Sequence, residues 1–229
     1  PDRLADRLRL RRRSGLPARL DDREVPVADE VEVAARVAVD EGADAEIGGC
    51  VNWISQLGHS DGKENIFRGT ARGLGEWKRI VNYRQIQLDK LKNVDVHLNS
   101  RLSTGDILEY GAEIVIIATG CHFATDGMNP ATHDVIEGAD TSLDWQLTPD
   151  EVVKGEKEIG KRVLVLENEG YYMGVSIAQK LAGEGHDVRL LTQMGDIANY
   201  MEFTLEAPML HRDLHRLGVE IHPYTMLEK

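Results

Sequence analysis

The residues of greatest chemical interest are Glu169, Gly170, Tyr171 and Gly174, which fall between two stretches of different periodicity. Arg162 to Leu166 is a short β-branched and leucine run after Gly160-Lys161, and Val175 to Leu181 has the apolar spacing of a helix. Val188 to Leu191 follows Gly185-His186-Asp187 as a second strand-like run. This β-α-β order is that of a dinucleotide half-domain, in which a G-x-G-x-x-G turn lets the chain bend and approach a pyrophosphate. With Gly174 as the third glycine, the first two places hold Glu169 and Tyr171. A carboxylate and a phenol then stand where the diphosphate comes closest, and charge repulsion predicts that no nicotinamide dinucleotide binds there. Gly170 lies between the two places and leaves a shifted register open.

A second set of candidates needs earlier elements to position it. Ile114 to Ala118 reads as a buried strand running into Thr119-Gly120, where backbone and hydroxyl can face a cofactor. Ile47-Gly48-Gly49 suits a loop passing close to a ligand. Between them the pattern predicts a long helix at about Gly75 to Asn93, with Trp77, Ile80, Val81, Leu88 and Leu91 on one face, then a strand from Val94 to Leu98. The candidate nucleotide-contacting residues are thus Gly48, Gly49, Thr119 and Gly120. An ordinary strand end would give the same Ala-Thr-Gly tripeptide; the apolar run before it and the nucleotide-like unit after it favour the ligand reading.

Residues 1–46 differ from all that follows. They use nine residue types, without one Lys, Asn, Gln, Thr, Ile or aromatic residue, and contain no Gly-rich turn of the kind that opens a nucleotide domain. Three readings stand: a GC-rich gene read out of frame until shortly before Ile47, which the abrupt restart of pattern favours; a biased disordered arm; and an Arg-rich and Glu-rich helical extension. Glu41 or Asp40 falls near the place of an acidic residue that holds ribose hydroxyls in such domains.

The formal charge is −12. Residues 1–19 hold seven Arg against two Asp, so the rest carries twenty basic against thirty-seven acidic residues, a net of −17 that makes nucleic acid an unfavourable partner. No apolar run approaches the ~20 residues that cross a bilayer, and a cytoplasmic setting is the default expectation. Cys50 and Cys121, widely separated, are expected as free thiols. His211 and His215 have the spacing of a metal pair, but no Glu or Cys nearby completes a zinc set, and no metal site is expected. Thr148-Pro149-Asp150-Glu151 is a helix-capping box. Met194, Met201, Met209 and Met226 read as core filler, and nothing has the pattern of a Ser-His-Asp set or a GxxxxGK[ST] loop.

Four segments carry a family resemblance: Gly73-Leu74-Gly75-Glu76-Trp77, Tyr83-Arg84, Tyr110-Gly111-Ala112 with Val115 to Gly120, and Asn199-Tyr200-Met201-Glu202-Phe203-Thr204-Leu205-Glu206. From about Ile47 to Lys229 the chain resembles the C-terminal half of the trimethylamine, dimethylamine and histamine dehydrogenases. The resemblance implies an iron-sulfur flavoprotein whose N-terminal α/β barrel holds FMN and a [4Fe-4S] cluster. It also implies a homodimer that passes electrons to an electron-transferring flavoprotein or similar acceptor. The C-terminal half of such proteins resembles glutathione reductase, with ADP in its first nucleotide site, or FAD in reductase relatives. The expected fold is therefore α/β, two incomplete nucleotide-binding, glutathione-reductase-like three-layer domains. Residues 47–140 would form a partial ADP/FAD-binding domain with Gly48, Gly49, Thr119, Gly120 and Glu41 at its site, and 141–229 a partial NAD-like domain with a degenerate fingerprint. Residues 1–46 stay unassigned.

The barrel, its four-cysteine motif and the first Gly-rich fingerprint do not occur in the sequence, and the expectation is a fragment cut at both ends with no complete catalytic site. Three functions follow: part of an FMN/[4Fe-4S] amine dehydrogenase; an NAD(P)H-dependent flavin oxidoreductase of the dienoyl-CoA reductase type; or a non-catalytic ADP-binding interaction module with an acidic docking surface. A reductase needs the second unit's glycines to receive hydride, whereas an amine dehydrogenase does not, so Glu169 and Tyr171 favour the first.

Overall fold

A computed structural model describes residues 33–36, 46–57, 73–129, 132–139 and 143–227. Glu41 and Asp40, and most of the segment 1–46, lie outside the described residues. In chain order the elements are β1 (Val33–Arg36), α1 (Cys50–Ile54), a 3-10 turn (Gly73–Trp77), α2 (Lys78–Leu88), β2 (Val94–His97), α3 (Thr104–Tyr110), α4 (Pro149–Lys154), β3 (Arg162–Glu167), α5 (Tyr172–Gly183) and β4 (Asp187–Thr192). A 3-10 turn (Asn199–Glu202), α6 (Ala207–Arg216) and β5 (Glu220–His222) complete the order. The chain divides into two compact units, residues 1–47 with 85–120, and residues 48–84 with 121–229.

In the second unit, β3, β4 and β5 form a parallel sheet in that order, with Arg162 opposite Asp187 and Arg189 opposite Glu220. Parallel neighbours need a crossover between them, and α5 and α6 supply it. Leu190, Val188, Val175, Ala178, Leu181, Leu210 and Leu214 are buried together with Ile197 and Met201. Along α6 the buried residues Ala207, Leu210 and Leu214 recur at the three- and four-residue spacing of one helix face. The capping box is present at α4: the Glu151 carboxylate accepts the Thr148 N–H at 2.8 Å, and the Thr148 hydroxyl donates to Asp150 at 2.7 Å. Burial pushes the Asp150 and Glu151 carboxyls up, but these bonds and the lysines beside them, Lys154 and Lys157, outweigh it and leave both below the ordinary carboxylate range.

The first unit holds a two-stranded parallel pair, β1 with β2, in the register Val33 to Val94. Here the structure departs from the sequence reading. Residues 114–120 carry no strand pairing among the described residues, and Ile114, Ile116 and Ile117 are 80%, 84% and 81% exposed. An apolar run becomes a buried strand only where another backbone pairs with its edge and side chains cover its faces, and no described strand does so. The expected long helix is likewise shorter: a 3-10 turn leads into α2, Val81 is its buried residue, and Trp77, Ile80 and Leu91 are exposed.

Candidate functional site

The turn between β3 and α5 is the place where the C-terminal ends of parallel strands meet a helix N-terminus, the usual position of a ligand in such sheets. Gly174 allows a close packing of helix on strand. A Cβ there would stand 2.7 Å from the Cβ of Glu167 and 3.3 Å from its Cα, so the absence of a side chain is what lets α5 lie against β3. Gly170 has φ +72°, and a Cβ on it would come within 2.7 Å of the Tyr200 ring. Both positions therefore require glycine, the one for packing and the other for the left-handed turn as well.

Carboxylates fill the rest of the turn. Glu167 is buried at the end of β3, and its Oε1 accepts the Gly170 N–H at 2.6 Å. Burial pushes the Glu167 carboxyl up; hydrogen bonds from Thr192 and Gly170 pull the other way, and the neighbouring charges of Glu169 and Asp196 add to the rise, which prevails. Glu169 accepts a short hydrogen bond from the Met173 N–H in the first turn of α5. Tyr171 stacks on Tyr200 with ring centroids 5.1 Å apart and planes 30° apart, and the Tyr200 N–H donates to the Gly170 carbonyl at 2.9 Å. Tyr172 donates to Glu206 at 2.6 Å, and burial followed by that carboxylate holds its hydroxyl above the ordinary value. The Asn199 to Glu206 motif thus closes directly over the Glu169 to Gly174 turn, with Met201 buried beneath. Beside it Gln193 donates to Asn129 at 3.0 Å and to Asn168 at 3.1 Å, tying the ends of β3 and β4 to a distant segment.

Sequence reasoning found Glu169, Tyr171 and Gly174 but missed Glu167, Tyr200 and the Asn129, Asn168 and Gln193 group. A carboxylate at the end of an apolar strand was the one available signal for Glu167. The partners of the others are too far away in sequence for any local pattern to show them.

The remaining candidates stand apart. Gly48 and Gly49 precede α1 in the second unit, with φ of +132° and +50°; a Cβ on Gly48 would meet the Asn52 side chain at 2.6 Å, whereas one on Gly49 would meet open space. Thr119 and Gly120 belong to the first unit, both exposed, with Gly120 at φ +78° and open space around its missing Cβ. Gly49 and Gly120 each have open space beside the backbone, as Gly138, Gly155, Gly160, Gly185 and Gly218 also do. His211 contacts Asp196 at 2.9 Å, and no group of His, Cys, Asp or Glu with metal-binding arrangement occurs among the described residues. Cys50 and Cys121 are free and exposed. No helix among the described residues is long and apolar enough to cross a membrane.

Residues 147–227 match the model of the OYE-like second alpha/beta domain. The chain is 44% identical to dimethylamine dehydrogenase from Hyphomicrobium sp. (strain x) over 157 residues, which cover 66% of the chain and 21% of that protein. It is 31% identical over 116 residues to N,N-dimethylglycine/sarcosine dehydrogenase from Chromohalobacter salexigens, covering 49% of the chain and 16% of the relative. Its fold is similar to that of histamine dehydrogenase from Rhizobium sp. 4-9, with a TM-score of 0.61 at 28% identity, over 85% of the chain and 31% of that structure. The chain therefore spans about a fifth of the length of the dehydrogenase it matches at 44% identity.

Proposed function

We propose, for a chain of the trimethylamine, dimethylamine and histamine dehydrogenase family, that it is part of an amine-oxidising flavoprotein and serves there as the nucleotide-fold portion rather than the seat of catalysis. The observation that carries this reading is the 44% identity to dimethylamine dehydrogenase. Glu169 and Tyr171 in the turn favour it over the reductase alternative, because an enzyme reduced by its amine has no use for a nicotinamide site. The whole protein would oxidise a small amine with FMN and a [4Fe-4S] cluster held by residues outside this chain, and hand the electrons to an electron-transferring flavoprotein or similar acceptor. The flavin supplies the electron-accepting chemistry; the protein supplies position and electrostatics. Within this chain Gly48, Gly49, Thr119 and Gly120, with Glu41, are the residues proposed to contact ADP, or FAD in the reductase alternative. They would hold an adenine nucleotide for structure and take no part in the oxidation.

The test is anaerobic reduction of the enzyme that carries this sequence. Dimethylamine, trimethylamine or histamine is expected to bleach the flavin, with NADH and NADPH without effect, and extraction is expected to release ADP alongside FMN. Bleaching by NADPH together with stoichiometric FAD would move the assignment to the reductase branch.

A further inference from the structure

We propose that the β3–α5 turn is a phosphate turn barred by its own side chains, so that Glu169, Glu167 and the Tyr171–Tyr200 stack are the residues that exclude nicotinamide dinucleotides from the second unit. The inference deepens the reading above and rests on it for the claim that the electrons enter from an amine.

Everything else that such a turn requires is in place. β3 and β4 are parallel neighbours, α5 is a twelve-residue helix that starts five residues after β3, and Gly174 gives the close helix-on-strand approach. A helix N-terminus presents backbone N–H groups and partial positive charge, which hold an anion when one is offered. Here the acceptors are internal. The Met173 N–H is taken by Glu169 and the Gly170 N–H by Glu167, the latter 1% exposed with its Oε2 lacking a hydrogen-bond partner. A diphosphate entering the turn would have to displace the Glu169 carboxylate, which repels it, and would find the Gly170 N–H already taken by the buried Glu167. The Tyr200 ring lies against Gly170, where the fingerprint calls for an uncovered approach, and Tyr171 stacks on that ring and holds it over the turn. Glu169 and Tyr171 occupy the first two fingerprint places, so two substitutions to glycine rebuild G-x-G-x-x-G while leaving Gly174 and the buried Glu167 untouched.

The experiment compares wild-type protein, E169Q and the E169G/Y171G variant, each checked for cooperative unfolding, with NADH and inorganic pyrophosphate as probes. Binding is read by calorimetry, and its location by amide hydrogen exchange across residues 168–175, which separates this turn from any adenine site elsewhere. Wild type is expected to show no protection of the turn. E169G/Y171G is expected to gain protection at Gly170 to Gly174 and to bind at least about tenfold more tightly than wild type, the order expected for removing one repelling charge from a partly exposed site. E169Q, which keeps an acceptor for the Met173 amide, is expected to move pyrophosphate binding in the same direction by less. Protection of the wild-type turn by NADH, or no gain in a folded E169G/Y171G, would overturn the proposal. If that variant does not fold, the absence of any gain in E169Q overturns it. Reduction of wild-type flavin by NADPH without protection of this turn would defeat the amine-dehydrogenase reading and leave the barred turn intact.

Discussion

Replacing Gly174 with Ala puts one methyl group between α5 and β3. In an exposed helix the change would stabilise by about 1 kcal/mol, since alanine restricts the unfolded chain and glycine does not. At this position the new Cβ would lie 2.7 Å from the Glu167 Cβ and 3.3 Å from its Cα, atoms that belong to a strand and cannot swing aside. Overpacking of a close-packed interior costs about 1–3 kcal/mol, and contact with strand atoms places the cost at the upper end. The net expectation is a loss of about 2 kcal/mol, or a fall in Tm of about 4–8 °C for a unit of this size. Gly160, whose Cβ would meet open space, provides the control, with G160A expected to lie within about 0.5 kcal/mol of wild type. Urea and thermal unfolding of the three proteins decide the matter. If G174A is as stable as wild type or more so, helix propensity outweighs the contact, and the close approach of α5 to β3 is not what holds a glycine there.

Glu167 has its carboxyl raised in the fold, so the folded state favours the protonated form, and stability should be lost as pH climbs from the ordinary value of 4.5 through the raised one. E167Q should flatten that part of the stability profile, and an unchanged pH dependence of Tm would show that the carboxylate pays no burial cost. The α4 cap has the opposite sign: Asp150 and Glu151 are lowered, so their contribution is present above the ordinary carboxylate value and fades as pH falls through the lowered ones. T148A is expected to cost about 1 kcal/mol near neutral pH and less in acid, measured by the same unfolding curves. Leu214 is fully buried on α6, and L214A should cost about 2–5 kcal/mol in urea unfolding; a cost below 1 kcal/mol would mean that α6 is not anchored through this face.

Legibility in the sequence followed the range of the interactions. The expected strand Arg162 to Leu166, helix Val175 to Leu181 and strand Val188 to Leu191 all appear, each extended by one or a few residues, because β-branched runs punctuated by Gly160 and Gly185 are local signals. The resemblance to the amine dehydrogenases is borne out by the 44% identity, and a mixed α/β fold with parallel sheet is observed. Ile114 to Ala118 failed as a strand for the complementary reason. Hydrophobicity states what a segment gains by burial but names no element to bury it, and these isoleucines remain exposed. The polar contacts of the turn lay beyond any window: Gln193 reaches Asn129 across 64 positions and Tyr172 reaches Glu206 across 34.

The stack of Tyr171 on Tyr200 ties together two stretches of chain separated by nearly thirty residues, and this has a consequence for descent. A lineage drifting toward a working glycine at position 171 would strand the Tyr200 ring without its companion, while a change at 200 alone would uncover Gly170. Each single step gives up the stacking contact, so the two sites should be replaced as a pair across relatives.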